Sequence, residues 1–100
     1  ALDESEGERI AEAQKDNPDA DILFLDNHGV SVGAPTVALA FDELYYLERA
    51  CRQQAIAQSS GKLLKILPDN VIRETNRQMM QQLDWSAENH FGALMRMQGL

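Results

Sequence analysis

Apolar and polar positions along the chain follow two different periods. Ile22, Leu23, Phe24 and Leu25 form an unbroken apolar run between turn-forming residues, which predicts a buried strand. It ends abruptly in Asp26, Asn27, His28 and Gly29, after which Val30, Ser31 and Val32 predict a second short strand. Gly29 admits a backbone conformation that a side chain would forbid, so the expectation is a tight hairpin with His28 at its tip. Helical spacing dominates elsewhere. Ser5 with Glu8 has the pattern of a capping box, and Ile10, Ala11 and Ala13 behind it predict a short helix over about 5–15, ending before Asn17 and Pro18. Pro35 and Thr36 open the longest segment. Val37, Ala40, Phe41, Leu44, Leu47, Cys51 and Ala55 recur there every three or four residues, predicting one amphipathic helix to about Ser59. After Ser59, Ser60 and Gly61 comes a short apolar connector, Lys62 to Leu67. Pro68 and Asp69 then begin a helical pattern over Val71 to Leu83, and Ser86 is expected to cap a last helix carrying Phe91, Leu94 and Met95.

These elements leave faces without partners. The long helix would span about 36 Å, more than a chain of 100 residues is comfortably wide, so part of it should lie against something outside the chain. A hairpin needs a larger sheet to be stable, and only two convincing strands are present. The chain is expected to be one portion of an α/β domain, with stability that depends on a partner.

Charge and cysteine content narrow the function. The net charge of -7 is concentrated at the front, where residues 1–26 hold nine Asp and Glu against Arg9 and Lys15. Such a surface repels a phosphate backbone, and the later basic residues are scattered without aromatic interleaving, so no nucleic-acid partner is expected. No apolar run approaches the length of a membrane span, and the acidic start is unlike an export signal. A soluble cytoplasmic protein is the resulting expectation. Cys51 is the single cysteine and lies within a helical stripe, which predicts a buried structural thiol rather than a nucleophile.

His28 is the residue best placed for chemistry, as a metal ligand, a general base, or a structural histidine that satisfies hydrogen bonds at a turn. Asp26 and Asn27 are candidates to orient its imidazole, although Asn27, two residues before Gly29, is equally explained by turn chemistry. His90, in the last helix beside Phe91, is expected to have an ordinary surface or partly buried role. Tyr45, Tyr46, Glu48 and Arg49 are expected to form a core edge with surface ion pairs, and Met79, Met80, Met95 and Met97 to serve helix packing. No phosphate loop, paired catalytic carboxylates or nucleophile elbow is present in the sequence.

The succession Ile22 to Val30, Val32 Gly33, Thr36 Val37, Ala40 Phe41 and Leu44 to Cys51 resembles the C-terminal part of the class II aldolase and adducin head-domain family. The likeness starts near Glu6 and extends weakly to the last helix. It implies that residues 1–100 belong to a single three-layer α/β/α domain with a mixed, mostly antiparallel sheet, of which this chain supplies the β-hairpin and about four helices. It also implies a homo-oligomer, a tetramer in many members, with active sites between subunits. Enzymes of the family use a divalent metal, usually zinc, held by an upstream histidine pair and a third histidine from the Asn-His-Gly element. By that match His28 resembles the third ligand, and no catalytic residue can be assigned. The implied chemistry is that of a lyase cleaving a hydroxy-carbonyl substrate through a metal-stabilised enediolate, with related members acting as epimerases, dehydratases or decarboxylases. The upstream pair and the family's usual catalytic acid have no counterpart in these residues, so this chain alone is expected not to be an enzyme and to need the missing N-terminal half of the domain. Adducin-type head domains share the same region, which leaves a non-catalytic interaction module as the alternative.

Overall fold

The computed structural model describes residues 4–26 and 28–100 and divides into two compact units, 1–34 and 35–100. The first unit contains α1 (Glu4–Asp16), β1 (Ile22–Leu25) and β2 (Gly29–Val32). Ser5 is already helical, so the predicted capping serine sits inside α1. Arg9 pairs with Glu6 along its surface. The helix ends where expected. Asn17 Nδ2 donates to the Ala13 carbonyl at 3.0 Å, and Gln14 Nε2 donates to the Ala20 carbonyl at 3.0 Å, fastening the turn ahead of the first strand.

β1 and β2 pair antiparallel in the register Ile22↔Val32, Leu23↔Ser31, Phe24↔Val30 and Leu25↔Gly29. Among the described residues the sheet has these two strands only. The apolar run of β1 is therefore a strand, but not the buried one expected from its composition. Ile22, Leu23 and Leu25 are half-buried, and Phe24 is 69% exposed. A two-stranded sheet has no second layer to cover both faces, so side chains fit for a core meet solvent.

The second unit is helical: α2 (Val37–Gln58), α3 (Asp69–Gln81) and α4 (Leu83–Met97). Thr36 caps α2, its hydroxyl accepting from the Leu39 amide at 3.1 Å, as its place after Pro35 suggested. α3 starts directly after Pro68, whose fixed φ suits the position before a first turn, and ends at Gln81. α4 starts at Leu83, so Ser86 lies inside it instead of capping it.

Packing covers only part of the predicted face and takes in its neighbour, with Ala40 and Leu47 half-buried and Phe41 against His90 and Phe91. α4 lies against the N-terminal half of α2, burying Ala38, Asp42 and Ala87, the three buried residues among those described. Ala38 and Asp42 stand one turn apart on a face adjacent to the predicted stripe. Phe41, Leu44, Cys51 and Ala55 of that stripe remain exposed, and every residue of α2 from Glu48 onward is exposed. The expectation of a buried Cys51 is corrected for the same reason: α4 does not reach that part of α2, and the thiol faces solvent. Residues 62–67 form the predicted non-helical connector, with Leu63 and Ile66 almost fully exposed.

Candidate functional site

The hairpin turn fixes the backbone of His28 on both sides. Its amide donates to the Leu25 carbonyl at 3.0 Å, closing the turn onto the end of β1. The next residue, Gly29, has φ 143°, a value that L side chains rarely adopt, and pairs directly with Leu25. No heavy atom would meet a Cβ built at Gly29, so the glycine is required there by backbone conformation and not by crowding. At the far end of the hairpin the Gly33 amide donates to Asp21 at 2.8 Å. Thus His28, an exposed residue, lies in the turn between β1 and β2, where the sequence places it.

The company expected around it is only partly visible. Asp26 lies in the turn with an exposed side chain and makes no hydrogen bond to His28 among the described residues. Asn27 lies outside the described residues. A zinc centre with three protein ligands and an open position needs three protein donors converging at about 2 Å from one point. Among the described residues no group of three or more His, Cys, Asp or Glu side chains is so placed. The donors present here therefore do not by themselves fit the metal that the resemblance implies. His28 offers one nitrogen.

The other histidine is held quite differently. His90 Nδ1 lies 2.9 Å from Asp42 Oδ1, a pairing of α4 with α2 across 48 residues of sequence. The Asp42 side chain is 8% exposed and that of His90 is 23% exposed. Three rings of α2 enclose the imidazole: Tyr45 edge-on at 4.6 Å, Phe41 at 5.8 Å and Tyr46 at 6.1 Å between ring centroids. Phe41 also meets Phe91, one residue beyond the histidine. Arg49 then extends the array, with its guanidinium 5.5 Å from the Tyr45 ring and donating to the Tyr45 hydroxyl at 3.1 Å. The tyrosines so form the edge of a small core, as expected, while Glu48 pairs with Arg52 on the surface.

His90 is partly buried as anticipated, but its carboxylate partner went unnoticed in the sequence. One signal was available. Ala38, Asp42 and Tyr45 follow the same three- and four-residue spacing that marks a packed helix face, with an acid where an apolar residue would ordinarily sit. Which residue would satisfy that acid could not be read locally.

No helix among the described residues is long and apolar enough to cross a membrane. Comparison with curated proteins and with solved structures gave no match. A family model did match, the one described as Class II Aldolase and Adducin N-terminal domain, over residues 1–55. That stretch takes in the whole hairpin, His28 and most of α2, including the tyrosine pair; the weaker likeness toward the last helix falls outside it. With more than half of its residues matched, the chain belongs to the class II aldolase and adducin family.

Proposed function

We propose that this chain carries one histidine of the active centre of an aldolase-type lyase that acts on a hydroxy-carbonyl substrate. The observation that supports this reading above others is the presentation of His28: an exposed imidazole on a turn whose backbone is fixed by the Leu25 carbonyl and by Gly29 at positive φ. Rigid presentation of a donor at a strand end is what a site needs if its geometry is to be set before a ligand arrives. Membership in a family that includes class II aldolases supplies the chemical context.

On this reading His28 contributes one ligand to a divalent metal, zinc in the first instance, and the remaining donors come from polypeptide outside these residues. The same outside portion adds strands to the two-stranded sheet, completes a three-layer domain and covers the apolar side chains of β1 and α2. The lyase works as a homo-oligomer in the cytoplasm. The part played by this chain is positioning: the turn sets where the imidazole points, and β1 with β2 prevents it from moving with the loop.

A second reading is a non-catalytic interaction module of the adducin type. The observation that favours it is the isolation of His28, which has no further metal-capable side chains grouped with it among the described residues. The two are separated by measuring metal content and lyase activity in the protein together with whatever polypeptide accompanies it in its source. The lyase reading expects stoichiometric divalent metal, cleavage of at least one hydroxy-carbonyl compound from a panel, and loss of both in His28→Ala. Metal-free material that is inactive and unchanged by His28→Ala overturns it in favour of the module.

A further inference from the structure

The second unit holds a buried acid and a histidine with no part in the function proposed above. We propose that Asp42 and His90 form a proton-accepting site in their own right, separate from His28, in which Asp42 fixes the imidazole tautomer and His90 Nε2 takes up a proton from a bound ligand. Several observations converge on this. The Nδ1–Oδ1 distance of 2.9 Å is a hydrogen bond, and an ionised carboxylate can only accept, so Nδ1 carries the proton and donates. The neutral ring must then present Nε2 as a lone-pair acceptor. Nε2 has no hydrogen-bond partner among the described residues, and no buried side-chain nitrogen or oxygen among them is left unsatisfied, so Nε2 reaches solvent.

The setting resembles that of a base rather than of a simple surface histidine. Orienting group and base stand on two different helices, α2 and α4, which form the most extensive helix packing of the unit. The Asp42 carboxylate is nearly withdrawn from water, which strengthens its hold on Nδ1–H. The rings of Phe41, Tyr45 and Tyr46 wall the imidazole on its α2 side. A ligand suited to this place bears a weakly acidic hydroxyl to meet Nε2 and an aromatic or apolar face to lie on those rings. A helix-to-helix tie alone would require the Asp42 bond but not an open Nε2.

The test uses diethylpyrocarbonate, which acylates unprotonated imidazole nitrogen, with the sites read by peptide mass mapping. The Nε2 lone pair forms the new bond to the reagent's carbonyl carbon, ethyl carbonate departs with the bonding electron pair, and the Nδ1 proton passes to Asp42. The proposal expects His90 to be labelled at least as fast as the far more exposed His28. It further expects Asp42→Asn to slow His90 by about tenfold, because an amide can donate to Nδ1 and hold the opposite tautomer, while His28 is unchanged. Labelling that follows exposure, with His90 slower than His28 and not slowed further by Asp42→Asn, overturns it. Because that variant could disturb α4, the unmodified protein provides an independent check: imidazole nitrogen chemical shifts should show Nδ1 protonated and Nε2 bare. The reverse tautomer overturns the proposal without any substitution.

Discussion

The two histidines of this chain are fixed by opposite means. His28 is placed entirely by its neighbours: a strand before it, a glycine after it, and one backbone hydrogen bond across the turn. Its imidazole is exposed and has no side-chain hydrogen bond among the described residues. His90 sits in the middle of a regular helix, where local sequence gives it nothing unusual, and all of its definition comes from a helix 48 residues away in sequence. The comparison teaches that a functional group can be rigidly presented by the backbone while its chemistry stays unspecified, or chemically specified by a partner that only folding supplies.

The sharpest way to break this comparison is to remove the acid. Replacing Asp42 by Ala deletes its hydrogen bond with His90 and removes a buried carboxyl group. A loss of about 1–3 kcal/mol is expected in a thermal or denaturant melt. Exchange protection of α4 amides should fall with it, while the amides of β1 and β2 keep theirs. An equal loss of protection in the hairpin would mean that the two histidines are not independently held.

A smaller effect is expected on the local side. Gly29→Ala forces a Cβ onto a backbone with φ 143° and should cost about 1 kcal/mol or more. The effect should appear as altered amide shifts of His28 and Leu25 with no change at His90. If the substitution is neutral, the turn is not what positions His28. The smallest effect concerns the exposed ion pair of α3, in which Arg77 donates to Glu74 at 2.6 and 3.0 Å. The Arg77 hydrogen bond lowers the Glu74 carboxyl below its usual range. A depressed carboxylate adds stability above its unfolded value and loses it as the pH falls through the folded one. Both groups are open to solvent, so Glu74→Gln should leave the melting temperature unchanged within error at neutral pH and remove a slight acid sensitivity.

Much of the first unit was legible beforehand because its determinants are short-range. The apolar run, the turn residues and Gly29 lie within about ten positions, and their periodicity and backbone preferences act without help from the rest of the chain. The helices were legible for the same reason, with errors confined to their ends: Ser5 lies inside α1, α3 stops at Gln81 rather than Leu83, and α4 takes in Leu83 and Ser86. Burial was not. The regular stripe on α2 predicts a core along Phe41, Leu44 and Cys51, yet α4 meets only its start: Phe41 packs on His90 and Phe91, while Leu44 and Cys51 remain exposed. Periodicity marks which residues are able to be buried, but which of them are covered depends on the partner that arrives.

Sequence by itself determined the hairpin, the place of His28 at the turn, the extent of the long helix and the membership of the family. Each of these rests on local spacing or on a motif. Tertiary structure alone decided that Asp42 would be buried, that His90 would answer it, and that Tyr45, Tyr46 and Phe41 would close around the ring. The physical reason is that burying a carboxylate is favourable only with a donor in place, and no rule of local sequence names a donor 48 residues away.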